Sequence, residues 1–295
     1  MSENQEWTVG KLLSWTAEYL QKQGAENPRL DAELLLAHAR GCERIMLYTA
    51  FAEVVPDDIR SRFRELIKER AAGKPVAYLL GRKEFYSLSF QVSPDVLIPR
   101  PETEFLVVAV IDLLKSRPAN APRARIVDVG TGSGAIAVSI LKHVAECEMT
   151  ATDISPAALA VAKVNAEAHG VANRCQFQAG DLLTMFPRQP AFDVIVSNPP
   201  YIGERERPTL TKQVVDHEPA VALFGGPTGV ETIVRLVEQA AERLVIGGWL
   251  FFEFSPIIEP DIGNLLAADS RWQNVKVTKD LGGFARLVSL QRVAS

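Results

Sequence analysis

The chain has 295 residues, 47% of them hydrophobic, enough for one large domain and a smaller one and too apolar for a disordered chain. Lys+Arg 32 against Asp+Glu 36 gives a net charge of −4, which argues against wholesale phosphate binding and makes direct nucleic-acid binding unexpected. Cys42, Cys147 and Cys175 share no ligand spacing with the four histidines, and no apolar run approaches the roughly 20 residues that span a bilayer. Neither a disulfide framework, a metal site nor a membrane partner is therefore expected.

From Trp7 to about Gly73 apolar residues recur at helical spacing: Leu12, Leu13 and Leu20, then Leu30, Leu34 and Leu35, then Ile59, Phe63, Leu66 and Ile67. Asp57 is a candidate cap for the last of these helices, and Gly24, Gly41 and Gly73 fall where helices should stop. Residues 1–80 thus read as a small, near-neutral helical bundle. Arg60, Arg64 and Lys68 share one helix face, and Glu65 and Glu69 beside them favour a solvated surface. Between Gly81 and Pro101 the texture becomes alternating, and Ser93-Pro94-Asp95 separates Phe85–Val92 from Val96–Ile98. This predicts a β-hairpin linker over 81–100 with its turn at that triplet.

Over 101–295 the pattern repeats as strand, turn, helix, strand. Arg125–Val129, Glu148–Thr152, Cys175–Ala179, Asp193–Ser197 and Trp249–Phe254 read as strands, and Asn274–Thr278 and Ala285–Gln291 as two last ones. Ala135–Val144, Pro156–His169, Val230–Leu244 and Pro260–Ala268 read as helices. The prediction is an α/β fold with a doubly wound, Rossmann-like parallel sheet.

Four predicted strand ends carry chemistry. The first runs into Gly130-Thr131-Gly132-Ser133-Gly134 and a helix, a loop whose glycines bring backbone N–H groups against a ligand, as NAD, FAD and S-adenosylmethionine proteins all require. The second ends in Asp153, placed to accept ribose hydroxyls. Its competing role is a helix N-terminal charge, and Ser155-Pro156 already suits that helix start, so the ribose role is favoured. The third ends in Gly180-Asp181-Leu182, where Asp181 could meet an adenine amine and Leu182 its face, or Asp181 could be an ordinary turn acid. The fourth ends in Asn198-Pro199-Pro200-Tyr201. Two prolines cannot continue a ladder, so the Asn198 side-chain oxygen and the Pro199 carbonyl are left to accept the hydrogens of a planar NH2 group, with the Tyr201 ring against it. Open α/β sheets bind ligands along the carboxyl edge of the strands, which would bring all four ends to one cleft.

The order glycine loop, ribose acid, adenine acid, Asn-Pro-Pro-Tyr resembles amino-methyltransferases that use S-adenosylmethionine. Flanking segments narrow the likeness: Gly73-Lys74-Pro75-Val76-Ala77-Tyr78-Leu79-Leu80-Gly81, Leu97-Ile98-Pro99-Arg100-Pro101-Glu102-Thr103-Glu104, Asn198–Ile202, and His217-Glu218-Pro219 with Ala222–Gly226. Together they resemble the HemK/PrmC family, from about Gly73 to the C-terminus. The resemblance implies methylation of the side-chain amide nitrogen of the glutamine in the Gly-Gly-Gln motif of class I peptide-chain release factors. It implies a methyl donor held by Gly130–Gly134, Asp153, Leu182 and Asn198, and a substrate glutamine at Asn198–Tyr201. The helical region would dock the protein substrate, and a cytoplasmic monomer is expected. Ser255-Pro256-Ile257-Ile258 departs from the family, which has glycine and then glutamine after the Phe252-Glu253-Phe254 strand. Other clients of the same turn are a ribosomal-protein glutamine and, against the charge balance, the exocyclic amine of adenine in a nucleic acid. Arg100 and Glu102–Glu104 could brace two domains or touch the substrate, and His217 reads as structural.

Overall fold

The computed structural model describes residues 6–294. The chain forms two compact units, one of residues through Gly81 together with Lys212–His217, the other of Arg82–Thr211 and the chain from Glu218 onward.

The first unit is helical: Val9–Lys22, Pro28–Arg40, Met46–Thr49, Asp57–Ala71 and Val76–Leu80. Thr8 caps the first helix by accepting the Lys11 N–H. Gly24, Gly41 and Gly73 follow helix ends with φ of 84°, 65° and 102°, left-handed values that Cβ-bearing residues resist. Asp57 lies inside the first turn of its helix, with Pro56 at the cap position. Leu13, Leu20, Leu35, Leu36, Phe63 and Ile67 form the core. The Arg70 guanidinium donates to Asp31 at 2.7 Å with both groups buried, which ties the second helix to the fourth. Along the basic stripe, Lys68 pairs with Glu65 and Arg60 with Asp57. The stripe also walls a groove of about 420 Å³ whose other side carries Trp7, Trp15 and Tyr19, the last two stacked at 5.4 Å.

In the second unit a hairpin of β1 (Arg82–Phe85) and β2 (Leu88–Gln91) comes first. Its turn is Tyr86-Ser87, not Ser93–Asp95, and Val96–Ile98 is not a strand. Both turn residues have positive φ, 49° and 60°, as a two-residue turn matching strand twist requires. Neither is Gly, Asn or Asp, so the sequence carries no local sign of it. The Tyr86 N–H donates to Glu104 at 2.9 Å, a contact that helps hold the turn. The Ser93–Asp95 triplet does bend the chain, with the Val96 N–H returning to the Ser93 carbonyl.

The central sheet has seven strands. In chain order they are β3 (Ala124–Val129), β4 (Cys147–Asp153), β5 (Cys175–Ala179), β6 (Phe192–Ser197), β9 (Leu244–Glu253), β10 (Trp272–Lys279) and β11 (Ala285–Arg292). The short pair β7 (Ile202–Gly203) and β8 (Phe224–Gly226) stands apart. Spatial order is β10-β11-β9-β6-β3-β4-β5, parallel from β9 to β5 and antiparallel through β11 and β10. Crossover helices cover both faces, with Leu106, Val110, Ile136 and Ile140 in one core and Ile233, Leu236, Val237 and Ile262 in the other. Order reverses beside β3, where one connection leads to β4 and a later one to β6. That is the switch point at which such sheets open a crevice.

Candidate functional site

A cleft of about 250 Å³ lies at the carboxyl edge of β3 to β6, lined by Gly130–Ser133, Asp153–Ser155, Gly180–Leu182, Asn198 and Pro200. All four predicted strand ends therefore meet in one place. Gly134, Pro199 and Tyr201 are not among the lining residues.

The glycine loop is bolted to the sheet by its own backbone. The N–H groups of Gly130 and Thr131 both donate to the Thr152 carbonyl, at 2.9 and 2.8 Å, and the Thr131 hydroxyl donates to Asp128 at 2.7 Å. Gly130 and Gly132 have φ of 73° and 55°, and a Cβ on either would meet nothing within 4 Å. The loop thus presents bare backbone to open space, the surface a ligand needs to approach closely. Gly134 works on the other side, because a Cβ there would lie 3.1 Å from that of Ala162. Buried Asn165 donates to the Ser133 carbonyl at 2.8 Å while exchanging hydrogen bonds with the Gln91 backbone, so one side chain fixes both hairpin and loop.

Asp153 accepts the Gly132 and Ser155 N–H groups on separate oxygens, each at 2.9 Å. The Ile154 N–H is also directed at this carboxylate, and of its about four acceptor sites that leaves capacity for a further donor. Burial raises this carboxyl's pKa, against the lowering effect of the Ser155 and Gly132 N–H groups. Ser155 caps the following helix through its hydroxyl, accepting the Ala158 N–H. Asp181 forms an ion pair with Arg235, a cleft residue with no local sign in the sequence. Leu182 has a φ of 52°, a left-handed conformation costing roughly 1–2 kcal/mol in a residue with a Cβ.

Behind the Asn-Pro-Pro-Tyr turn lies a chain of buried polar groups. Asn198 Nδ2 donates to Thr103 Oγ1 at 3.1 Å, Thr103 Oγ1 donates to Glu253 at 2.6 Å, and the Tyr201 hydroxyl donates to the other oxygen of Glu253 at 2.9 Å. Burial raises the Glu253 pKa, opposed by the hydroxyls of Thr103 and Tyr201. Burial and then the neighbouring Glu253 charge raise that of Tyr201, which keeps its proton to donate. The Tyr201 ring packs on the core beneath the sheet rather than into the cleft. Gly225 and Gly229 hold the turn from outside: a Cβ on Gly225 would stand 2.3 Å from the Pro200 carbonyl oxygen, and one on Gly229 2.4 Å from that of Tyr201. Arg100 donates to Glu218, a brace inside this unit. His217 groups with the helical unit, its ring near Gly73. The divergent Ser255–Ile258 segment is a short turn capped by Ser255, with Ile258 sunk into the core.

Among the described residues no helix is long and apolar enough to cross a membrane. The fold is shared with the hMettl16 catalytic domain in complex with MAT2A 3′UTR hairpin 6, at 17% identity and a TM-score of 0.56 over 78% of this chain and 82% of that one. The human methyltransferase 10 domain containing protein gives 17% and 0.52, over 77% and 98%. Residues 11–81 match the PrmC N-terminal domain family and residues 109–227 the methyltransferase small domain family. The release factor glutamine methyltransferase of Rhodopirellula baltica is 45% identical over 99% of this chain and 98% of its own length. That of Koribacter versatilis is 41% identical over 95% and 97%. With this likeness along nearly its whole length, the chain belongs to the release factor glutamine methyltransferase family.

Proposed function

We propose that this enzyme methylates the side-chain amide nitrogen of the glutamine in the Gly-Gly-Gln motif of peptide-chain release factors. The observation that carries the reading is Asn198 at the cleft edge, its NH2 tied back to Thr103 and its oxygen left to accept. The backbone of Gly130–Gly134, with Asp153, Asp181, Leu182 and Asn198, would hold the methyl donor, and the bare loop and the spare lone pairs of Asp153 fit its carboxylate and ribose. When bound, S-adenosylmethionine supplies a sulfonium methyl group.

A glutamine amide nitrogen is a poor nucleophile because its lone pair is shared with the carbonyl, so placement must do most of the catalysis. Asn198 Oδ1 at the cleft wall would accept one N–H, and the Pro199 carbonyl of the same turn, which does not itself line the cleft, would have to reach the other. Together they would turn the nitrogen toward the donor, an orientation effect worth up to roughly 7–11 kcal/mol in favourable systems. Positive charge grows on the NH2 group as the new bond forms, and fixed acceptors stabilise that charge more than the ground state. The nitrogen becomes strongly acidic and releases its proton to water, without a strong base. Pro200 shapes the turn, and Tyr201 anchors it through Glu253.

We further assign substrate docking to the helical region of residues 1–80, a linking role to 81–100 and methyl transfer to 101–295. Half-exposed Trp15, stacked on Tyr19 beside Arg64 and Lys68, supports a protein-facing role for the helices. A cytoplasmic monomer that does not itself bind nucleic acid is proposed with it; the net charge of −4 supports the last point and the free Cys42, Cys147 and Cys175 suit a reducing compartment. Labelled S-adenosylmethionine supplied with release factor, ribosomal protein or DNA tests the reading. Label should enter the release factor, and label entering DNA alone would overturn it.

A further inference from the structure

A side-chain amide is nearly the same shape either way round, and only its hydrogen bonds decide which face it presents. With NH2 turned to the cleft, Asn198 would oppose a substrate NH2 with donors of its own. The structure contains a device that prevents this. Glu253 closes β9, and its neighbour Phe252 pairs with Ser197 of β6, so the carboxylate stands beside Asn198 at the next strand end. Glu253 is 2% exposed and Thr103 4%. Glu253 accepts the Thr103 hydroxyl hydrogen on one oxygen and the Tyr201 hydroxyl hydrogen on the other. A hydroxyl has one hydrogen, so Thr103 has only a lone pair left for Asn198. The amide must then offer Thr103 its NH2, as it does at 3.1 Å, and its oxygen to the cleft.

We propose that Thr103 and Glu253 are positioning residues that fix the polarity of the Asn198 amide, and that this polarity restricts the substrate to a side chain bearing NH2. The inference rests on the amide-methylation reading above. A glutamate side chain in the same place would bring carboxylate oxygens against two acceptors, so the device distinguishes glutamine from its acid. A single turned amide would abolish that distinction.

The test compares Thr103→Val, which removes the hydroxyl at nearly constant volume, with Thr103→Ser, which keeps it. Readouts are kcat and KM on release factor, methyl-donor Kd by calorimetry, and solvent exchange of the Asn198 side-chain NH2 by NMR with labelled asparagine. Thr103→Val should lower kcat by about 10- to 100-fold with donor Kd within about threefold, and Thr103→Ser should restore most of the loss. Asn198 NH2 exchange should be slow in the wild type and faster in Thr103→Val. A valine variant as active as wild type, or equal loss in both variants, would overturn the proposal. If the valine variant fails to fold, fast NH2 exchange in the wild type overturns it and slow exchange supports it. A wild type inactive on release factor would instead remove the functional reading, with NH2 exchange still deciding the orientation.

Discussion

The Arg100 guanidinium donates to the Glu218 carboxylate at 2.6 Å, and the same carboxylate accepts the Ile98 N–H at 3.2 Å. The Glu218 side chain is wholly buried, so one acid clamps the segment leading to Thr103. Arg100→Met would strand that charge in the interior. A cost of about 2–4 kcal/mol is expected in urea melts, with part of it recovered in Arg100→Met/Glu218→Gln, because a neutral amide is cheaper to bury than an unpaired carboxylate.

Gly225 packs against the Asn-Pro-Pro-Tyr turn. A Cβ there would stand 2.3 Å from the Pro200 oxygen and 2.7 Å from that of Gly229, both backbone atoms that cannot swing aside. Gly225→Ala should therefore displace the Asn-Pro-Pro-Tyr turn and lower kcat by at least about tenfold. Donor affinity, measured by calorimetry, should change far less, since the glycine loop and Asp153 lie on other strand ends.

The two cleft acids should differ. Asp153 is held by two backbone N–H groups inside the cleft wall, whereas Asp181 is about half exposed and already paired with Arg235. Asp153→Ala is expected to weaken donor binding by about 10- to 100-fold, and Asp181→Ala by less than about tenfold. Calorimetric Kd values for the two variants check the order.

Asp128 gives stability a pH dependence of known sign. Burial pushes its carboxyl up to about 7 from 3.8, only partly offset by the Thr131 hydroxyl. Between those values the folded chain keeps a proton that the unfolded chain releases, so this residue's contribution favours folding at low pH and is lost as pH rises toward 7. The slope is at most about 1.4 kcal/mol per pH unit. Asp128→Asn should remove it, and melts of both proteins from pH 4 to 8 should converge in slope above pH 7.

The elements that the sequence reveals are those with local signatures. Gly130–Gly134 announces its turn by composition, and the apolar run Phe192–Ser197 announces a buried strand. The hairpin turn at Tyr86-Ser87 does not, because its positive φ values fall on residues that rarely adopt them. The helix Glu104–Lys115 is apolar on most of its surface and gives no clean stripe, so periodicity passes over it. The supports of the site were hidden for a different reason. Thr103 and Glu253 are 150 residues apart, Ile98 and Glu218 120, and Gln91 and Asn165 74. Such pairings exist only once the sheet order is set, whereas Asn198 and Asp153 stand at strand ends and follow from the strands alone.

Asn198 is the residue on which the account turns, and it separates chemistry from binding. Wild type and Asn198→Ala should each be incubated with S-adenosylmethionine and release factor, the product mapped by tandem mass spectrometry, and donor Kd measured in parallel. The account predicts one methyl group on the Gly-Gly-Gln glutamine with wild type, none with Asn198→Ala, and donor affinity largely intact in the variant. A methyl group on any other residue, or equal loss of donor binding and transfer in Asn198→Ala, would contradict it.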